Sequence, residues 1–311
     1  MDRAVSEVVG YIYIFSIVMM VLSIVFIQVN SMVEDMRRSV LSQSLEQSFK
    51  RIQYIIYSVG FGDVPAQVAE IELRGGAMKL NKEMPEFIIA FVNDTINGSC
   101  SDILKSTNFV LHCLNLSTAK ILPYEAPCTG AYDRPACVFN RTAGELRYEY
   151  KDWFLSVEAG SVFSRHSDQY SKMLYEPRIL LNTTAGTSRY FMITVPCLNS
   201  SGEFSIAGEG RFRFYIEEAG SNYARMEDLS RILPESFDSA YLILRETEHR
   251  DGWCKFFEDF PLLNVTLKPE NCGNRTNCNC YIAEHPMARI EVGNEVTEMV
   301  ILFKEVVLAR D

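Results

Sequence analysis

An uncharged apolar run near the first residue constrains this 311-residue chain more than any other feature. From Val8 to Val29 (VVGYIYIFSIVMMVLSIVFIQV) there is no Asp, Glu, Lys or Arg. A bilayer core needs about 20 apolar residues in helical form, so the run is long enough to cross one. It is longer than the apolar core of an ordinary secretory signal, and no A-x-A-type cut follows it. Ile27-Gln28-Val29-Asn30 leads straight into polar residues. The segment is therefore expected to remain attached and to anchor the chain in a membrane.

The helical pattern does not stop with the apolar run. Leu41, Leu45, Phe49, Ile52 and Ile56 recur at steps of four, four, three and four, which puts them on one helix face. Glu34, Asp35, Arg37, Arg38, Lys50 and Arg51 occupy other faces, and no Pro or Gly intervenes after Gly10 until Gly60. One helix from near Val5 to near Ser58 is expected, roughly 80 Å long at 1.5 Å per residue. Its first half is apolar all round, and its second half has a single apolar stripe. Such a helix reads either as an anchor followed by a stalk or as a spine packed against a head.

Beyond Gly60 the period changes. Ala69–Leu80 (AEIELRGGAMKL) alternates on both sides of Gly75-Gly76 and reads as a hairpin. Phe87–Val92 is a buried-strand candidate. Residues 93–142 are turn-rich and read as a disulfide-pinned loop region with short strands. Leu146–Tyr150 and Phe154–Val157 suggest a second hairpin. Arg189–Val195, Arg211–Ile216, Ala240–Leu244, Ala288–Val292 and Thr297–Leu308 read as strands, and Asn222–Ile232 as a short helix. Asp251–Phe260 gathers Trp253, Phe256 and Phe257 on one side, which suits a helix docked on a sheet. Aromatic residues such as Tyr148, Tyr150, Phe212 and Phe214 alternate along strands, as core side chains do rather than a carbohydrate platform.

Two counts bear on the compartment. All nine cysteines lie after residue 99, and eight of the sixteen asparagines open an N-x-S/T sequon. The sequons are Asn93, Asn97, Asn115, Asn140, Asn182, Asn199, Asn264 and Asn274, where average composition would give roughly two. Sequons also arise in Asn- and Thr-rich loops without any glycan. Together with the cysteines, however, they suit an oxidising, glycosylating exterior. The positive-inside rule points the other way, because Arg37, Arg38, Lys50 and Arg51 follow the apolar run and only Arg3 precedes it. A net charge of −10 argues against nucleic acid as a partner.

Disulfide candidates are Cys100, Cys113, Cys128, Cys137, Cys197, Cys272, Cys278 and Cys280. Cys100 with Cys113 and Cys128 with Cys137 are plausible local pairs, and Cys254, beside Trp253, is the expected unpaired thiol because nine is odd. Cys272-x5-Cys278-x-Cys280 with His285 is dense enough for a zinc site, but the exterior setting favours disulfides there. No metal or cofactor is expected. There is no phosphate-binding loop, no G-x-S-x-G and no H-E-x-x-H. Gly208-Glu209-Gly210 precedes a strand and lacks the third glycine of a dinucleotide motif. The four histidines (His112, His166, His249, His285) are scattered, so the chain is not expected to be an enzyme. A membrane-tethered hydrolase would need a pocket of His and carboxylates that the sequence does not announce.

Arg3-Ala4-Val5-Ser6-Glu7-Val8-Val9-Gly10, with the apolar run behind it, resembles the class III signal of archaeal type IV pilins, whose members open with an R-A-V-S-x-V-I-G-like sequence. The resemblance is specific over about the first 30 residues and persists weakly through the long helix and RGGAMKL. That order is also similar to archaeal pilin-like surface proteins of undefined role, as, faintly, are Tyr175-Glu176-Pro177 and the strand-then-helix ending in Trp253. The resemblance implies that a prepilin peptidase removes a leader carrying Asp2 and Arg3 by cutting between Ala4 and Val5, within one residue. It also implies that Glu7 pairs with the new amino terminus of a neighbouring subunit and sets the axial register. A glutamate at a helix N-terminus suits the helix dipole as well, which offers a second reason for Glu7.

The expected fold is α+β, with a long N-terminal hydrophobic, pilin-like spine helix carrying a β-rich, mainly antiparallel globular head. The expected parts are residues 1–4 as leader, 5–59 as transmembrane and spine helix, and 60–311 as head. The expected partners are prepilin peptidase, other pilin-like subunits, the pilus assembly machinery and the membrane. The N-terminus is expected in the cytoplasm and the head outside. The head, about 250 residues by that division, is bulky for a thin fibre, and Tyr11 and Tyr13 depart from the small aliphatics usual early in such helices. Both departures suggest a minor or tip subunit that exposes its head for adhesion or surface interaction. The competing expectation is a single-pass surface protein that never assembles and keeps an uncleaved anchor.

Overall fold

The computed structural model describes residues 2–94, 100, 109–116, 120–124, 128–130, 132–167, 169–183, 189–219, 227–228, 239–258, 287–292 and 298–310. The chain forms two compact units, Met1–Gln47 and Ser48–Asp311.

The first unit is helical. It belongs to helix α1 (Asp2–Phe61), 60 residues without interruption, longer at both ends than the periodicity alone suggests. Gly10–Asn30 is apolar, has a mean hydropathy of 2.6 and is long enough to cross a membrane. Its polar groups are tied back into the helix. The Ser16 hydroxyl donates to the Ile12 carbonyl and the Ser23 hydroxyl to the Met19 carbonyl, each at 2.8 Å. No serine in that span presents an unmade hydrogen bond to an apolar surrounding, where such a group would cost several kcal/mol.

The second unit opens with the last turns of α1. Phe49, Ile52 and Ile56 are buried as their spacing demands, and Ile55, Tyr57 and Val59 join them. Gln53, buried among them, donates from Nε2 to the carbonyls of Gly160 (2.7 Å) and Glu176 (3.0 Å). The Tyr57 hydroxyl accepts the Arg178 backbone N–H at 3.0 Å, and the Arg178 guanidinium lies 4.5 Å from the Tyr57 ring centre. Burial pushes the Tyr57 phenol up to about 12. The helix ends where Gly62 donates its N–H to the Ser58 carbonyl, before Pro65.

The head is β-rich and mainly antiparallel. Its strands are β1 (Ala66–Asn81), β2 (Glu86–Val92), β3 (Val110–Asn115), β4 (Ile121–Pro123), β5 (Asp133–Thr142), β6 (Glu145–Tyr150), β7 (Trp153–Glu158) and β8 (Ser161–His166). There follow β9 (Lys172–Tyr175), β10 (Ile179–Thr183), β11 (Arg189–Asn199), β12 (Ser205–Glu218), β13 (Glu227–Asp228) and β14 (Ser239–Arg245). Helix α2 (Arg250–Glu258), β15 (Met287–Val292) and β16 (Glu298–Arg310) complete the order. A ten-stranded sheet runs β10-β11-β16-β12-β1-β6-β7-β8-β9, with β13 paired to β16. A six-stranded sheet runs β15-β14-β2-β5-β3-β4. Among the described pairings, β11 with β16 is the parallel one.

Strand β2 shows how sequence dictates layering. Successive side chains in a strand point to opposite faces. Phe87, Ile89 and Phe91 enter one core with Phe163, Ile193, Val195, Phe303 and the α2 aromatics, while Ile88, Ala90 and Val92 enter a second core with Leu114, Val138 and Ile243. An apolar run without alternation is thus a strand buried on both faces.

The Gly75-Gly76 hairpin is corrected. Residues 66–81 form one strand, with a bulge between Arg74 and Ala77 opposite β12. Gly75 and Gly76 adopt φ of 95° and 81°, and the Tyr148 hydroxyl donates to the Gly75 carbonyl at 2.7 Å. The chain kinks but does not reverse, because β12 pairs with it on both sides of the kink and β6 pairs with its second half. The short helix at Asn222–Ile232 is corrected where it is described: Glu227–Asp228 pairs with β16 as a strand, and the rest lies outside the described residues.

The cysteine pairing is also corrected. Among the described residues, disulfides join Cys100 to Cys137 and Cys113 to Cys128. Register supplies the reason. Cys137 stands opposite Leu111, whereas Cys113 lies between Leu122 of β4 and Pro135 of β5, at the end of β3 nearer the β4–β5 connection that holds Cys128. Cys254 is disulfide-bonded rather than spare. Cys197 keeps its thiol, which donates to the Val195 carbonyl at 3.9 Å. Cys272, Cys278, Cys280 and His285 lie outside the described residues.

Candidate functional site

Three consecutive strands, β6, β7 and β8, form a meander. Its register aligns Glu145 with Glu158 and Glu158 with Ser161. Two positions along, Arg147, Ser156 and Phe163 align, and then Glu149, Phe154 and Arg165. Residues opposite one another in antiparallel strands share a face. One face of the meander therefore carries a row of two carboxyls and a hydroxyl, followed by a row with a hydroxyl and a phenyl ring. The β7–β8 turn is tight, with Ala159 and Gly160 at φ of 46° and 82°. A side chain at Gly160 would collide with the Tyr57 hydroxyl, 2.1 Å from where its Cβ would lie.

The segment between β14 and α2 completes the site. Glu246 adopts φ of 62°, a left-handed conformation that costs a non-glycine residue about 1 kcal/mol or more and turns the chain inward. Thr247 and His249 follow, both fully buried. The His249 ring stacks on Phe163, with centres 4.4 Å apart and planes within 4°. Its Nε2 lies 3.0 Å from Glu145 Oε1 and 2.5 Å from Ser156 Oγ, and its Nδ1 lies 2.7 Å from Ser171 Oγ. Glu158 Oε1 accepts from the Thr247 hydroxyl and from the Trp253 indole N–H, each at 2.7 Å. Thr247 Oγ1 in turn accepts the His249 backbone N–H at 3.0 Å.

Outside this cluster lies a cationic rim. Arg147 pairs with Glu149 at 2.8 Å and Glu248 at 3.0 Å, with its guanidinium 4.0 Å from the Phe154 ring centre. Arg165 Nη1 reaches the Glu248 carbonyl at 3.1 Å.

The two buried carboxyls are driven apart. Burial, with the Glu145 charge beside it, pushes Glu158 up to about 7, against the opposing effect of the His249 charge. Burial also pushes on Glu145, but the hydrogen bond and charge of His249, with Arg147 and Ser156, outweigh it and hold this carboxyl below its usual range. Neighbouring acids separated in this way recur at functional sites. Glu145, Glu158 and His249 bring one ligand atom each to within 4.8 Å of one another, the one such group among the described residues that has the donors for a metal ion.

None of these residues is singled out by a sequence motif. Glu145 and His249 are 104 positions apart, and no spacing rule connects them. The weak signal is Glu145 and Glu158, which flank the two strands of the expected second hairpin, Leu146–Tyr150 and Phe154–Val157.

The residues singled out from sequence lie elsewhere. Asp2, Arg3, Ala4, Val5 and Glu7 fall in the first turns of α1. Of the sequons, Asn140 is exposed on β5, with Nδ2 donating to Glu86 at 2.5 Å. Asn115 and Asn199 are half-buried, and their amides donate to Asp133 (2.6 Å) and Glu305 (2.5 Å). Asn93 follows β2, and Asn182 lies in β10. Asn97, Asn264 and Asn274 lie outside the described residues.

Comparison with known proteins gives a family. DUF7289, described as a family of unknown function, matches residues 3–259. An uncharacterized protein of Archaeoglobus fulgidus is 50% identical over 314 residues, spanning 99% of this chain and 100% of that protein. No solved structure matches the chain.

Proposed function

The chain belongs to the DUF7289 family, and we propose that it is an archaeal pilin-like surface subunit, membrane-inserted before assembly, with its head outside the cell. The observation that carries this reading is the opening of α1. A charged pair and a small residue precede an uncharged span, Gly10–Asn30, within a helix that has no break between Asp2 and Phe61. A peptidase at the cytoplasmic face would remove Asp2 and Arg3 by cutting next to Ala4 and would spare the helix. Glu7 then lies near a new amino terminus. A carboxylate at the edge of an apolar helix is costly to bury unless it is paired. The amino terminus of a neighbouring subunit supplies that pairing and fixes the axial register. The Archaeoglobus relative supports the archaeal setting, and the disulfides support an oxidising exterior for the head.

The size of the head favours a minor or tip position, used for adhesion or contact with other surface proteins. It equally favours a second reading, a surface protein anchored by α1 that never assembles. Shearing cells and separating filaments from membranes tests the choice. The assembling subunit appears in filaments and is lost from them on Glu7→Ala. A protein confined to membranes in both backgrounds contradicts assembly.

A further inference from the structure

The buried trio on the meander poses a problem of charge and lone pairs. His249 Nδ1 faces Ser171 Oγ at 2.7 Å, and the arrangement with the proton on Nδ1 leaves the Nε2 lone pair aimed at Glu145. Nε2 and Glu145 Oε1, both electron-rich, are then 3.0 Å apart in a site closed to water. A proton on Nε2 or a metal ion fills that place. Arg147 acts on Glu145 through its charge alone, its guanidinium being held by Glu149 and Glu248.

We propose that His249, Glu145 and Glu158 hold one divalent first-row transition ion that staples α2 to the β6–β8 meander. Three observations support this, independently of one another.

The first is spacing. Two ligands at about 2.1 Å from one ion and at right angles to it stand about 3.0 Å apart. That is the separation of Nε2 and Glu145 Oε1, and all three ligand atoms fit within 4.8 Å. The second is charge. Two carboxylates and a neutral imidazole balance one divalent ion, so the interior closes without an unpaired charge.

The third is the outer partners. Ligating imidazoles and carboxylates are characteristically held by hydrogen bonds on their far sides. Ser171 holds Nδ1, while Thr247 and Trp253 hold Glu158. Ser161 Oγ adds a separate indication. It is fully buried and makes no hydrogen bond to the protein, and the register places it beside Glu158 on the same face. A buried hydroxyl with an unmade bond beside the trio points to a group that the side chains do not supply.

One imidazole with two carboxylates suits manganese, iron or zinc better than magnesium or calcium, which take oxygen ligands alone. The trio is closed to solvent, which suits a structural ion rather than one that meets substrate. The ion would join the β6–β7 hairpin to the start of α2, about a hundred residues later in the chain, and so oppose the opening of α2 from the sheet.

The test uses the full-length chain in detergent, purified without chelator and without a metal-affinity column. Elemental analysis is expected to find about one manganese, iron or zinc per chain that dialysis against chelator leaves in place, because the site is buried. Unfolding in denaturant with chelator under non-reducing conditions, then refolding with or without Zn2+ or Mn2+, is expected to give a higher Tm with the ion. His249→Gln and Glu158→Gln should each lower the metal content at least tenfold, while the control His112→Gln keeps it. A native chain with no stoichiometric metal and an unchanged Tm on refolding with either ion overturns the proposal. Metal that survives in both variants also overturns it, because such an ion sits elsewhere, and if the variants fail to fold, the wild-type measurements decide alone.

Discussion

Glu145 and Glu158 stand directly opposite each other across the β6–β7 hairpin, both buried, and their surroundings push their carboxyls in opposite directions. Glu145 faces an imidazole and two further donors or charges. Glu158 faces neutral donors, Thr247 and Trp253, and the Glu145 charge adds to the push upward from burial.

That asymmetry sets a pH dependence for the metal-free chain. A carboxyl raised from 4.5 to about 7 in the folded state binds its proton more tightly there than in the unfolded chain. Stability from Glu158 is thus full below about pH 4.5 and declines as pH rises toward 7. Glu145, lowered, acts with the opposite sign, and its contribution is lost as pH falls below the ordinary carboxylate range. Thermal melts of chelator-refolded protein are expected to fall in Tm between pH 5 and 7, and Glu158→Gln should flatten that decline. An unchanged slope in the variant contradicts the assignment.

The bulge in β1 gives a paired comparison. A Cβ at Gly76 would meet the Glu149 carbonyl at 2.4 Å and the Tyr148 hydroxyl at 2.9 Å, and φ is 81°. Gly208, opposite the bulge, has φ of 115° but open space around it. Gly76→Ala is expected to cost about 3 kcal/mol or more, and Gly208→Ala about 1–2 kcal/mol for backbone strain alone. Denaturant midpoints measure both, and equal costs would mean that packing at Gly76 is not what fixes the bulge.

Gln53 holds the last turns of α1 through two carbonyls on separate loops. Gln53→Leu fits the apolar surroundings but leaves the Gly160 and Glu176 carbonyls without their donor. The expected loss is about 1–3 kcal/mol in a denaturation experiment, and a neutral result would show that water replaces the amide.

Peptide mapping under non-reducing conditions is expected to return Cys100–Cys137 and Cys113–Cys128, with Cys197 recovered as a thiol. The loops close over 37 and 15 residues, so in the chain-entropy picture the two bonds are worth about 4 and 3 kcal/mol. A Cys100–Cys113 peptide would contradict the β3–β5 register.

Helices and strands were legible wherever one period dominated. The α1 stripe, the two-faced run of β2 and the aromatic side of α2 each follow from spacing, because burial on a regular element forces a regular pattern. The failures share a cause. Gly75-Gly76 marks a positive-φ site, but whether the chain turns or bulges depends on β12, more than 120 residues away. The cysteine pairs depend on the register of β3 against β5. The buried trio depends on both, since a hairpin must align two glutamates and a loop a hundred residues later must deliver the imidazole. Local chemistry is written in the sequence at those positions, and the long-range juxtaposition is not.

The fate of the first four residues separates an assembling subunit from a static anchor. The deciding measurement is the intact mass and N-terminal sequence of the protein taken from native membranes and from sheared filaments. A chain beginning at Val5, or one residue to either side, in the filament fraction is the predicted result. An unprocessed Met1-Asp2 start, found in membranes and absent from filaments, would contradict the pilin-like reading and leave an anchored surface protein.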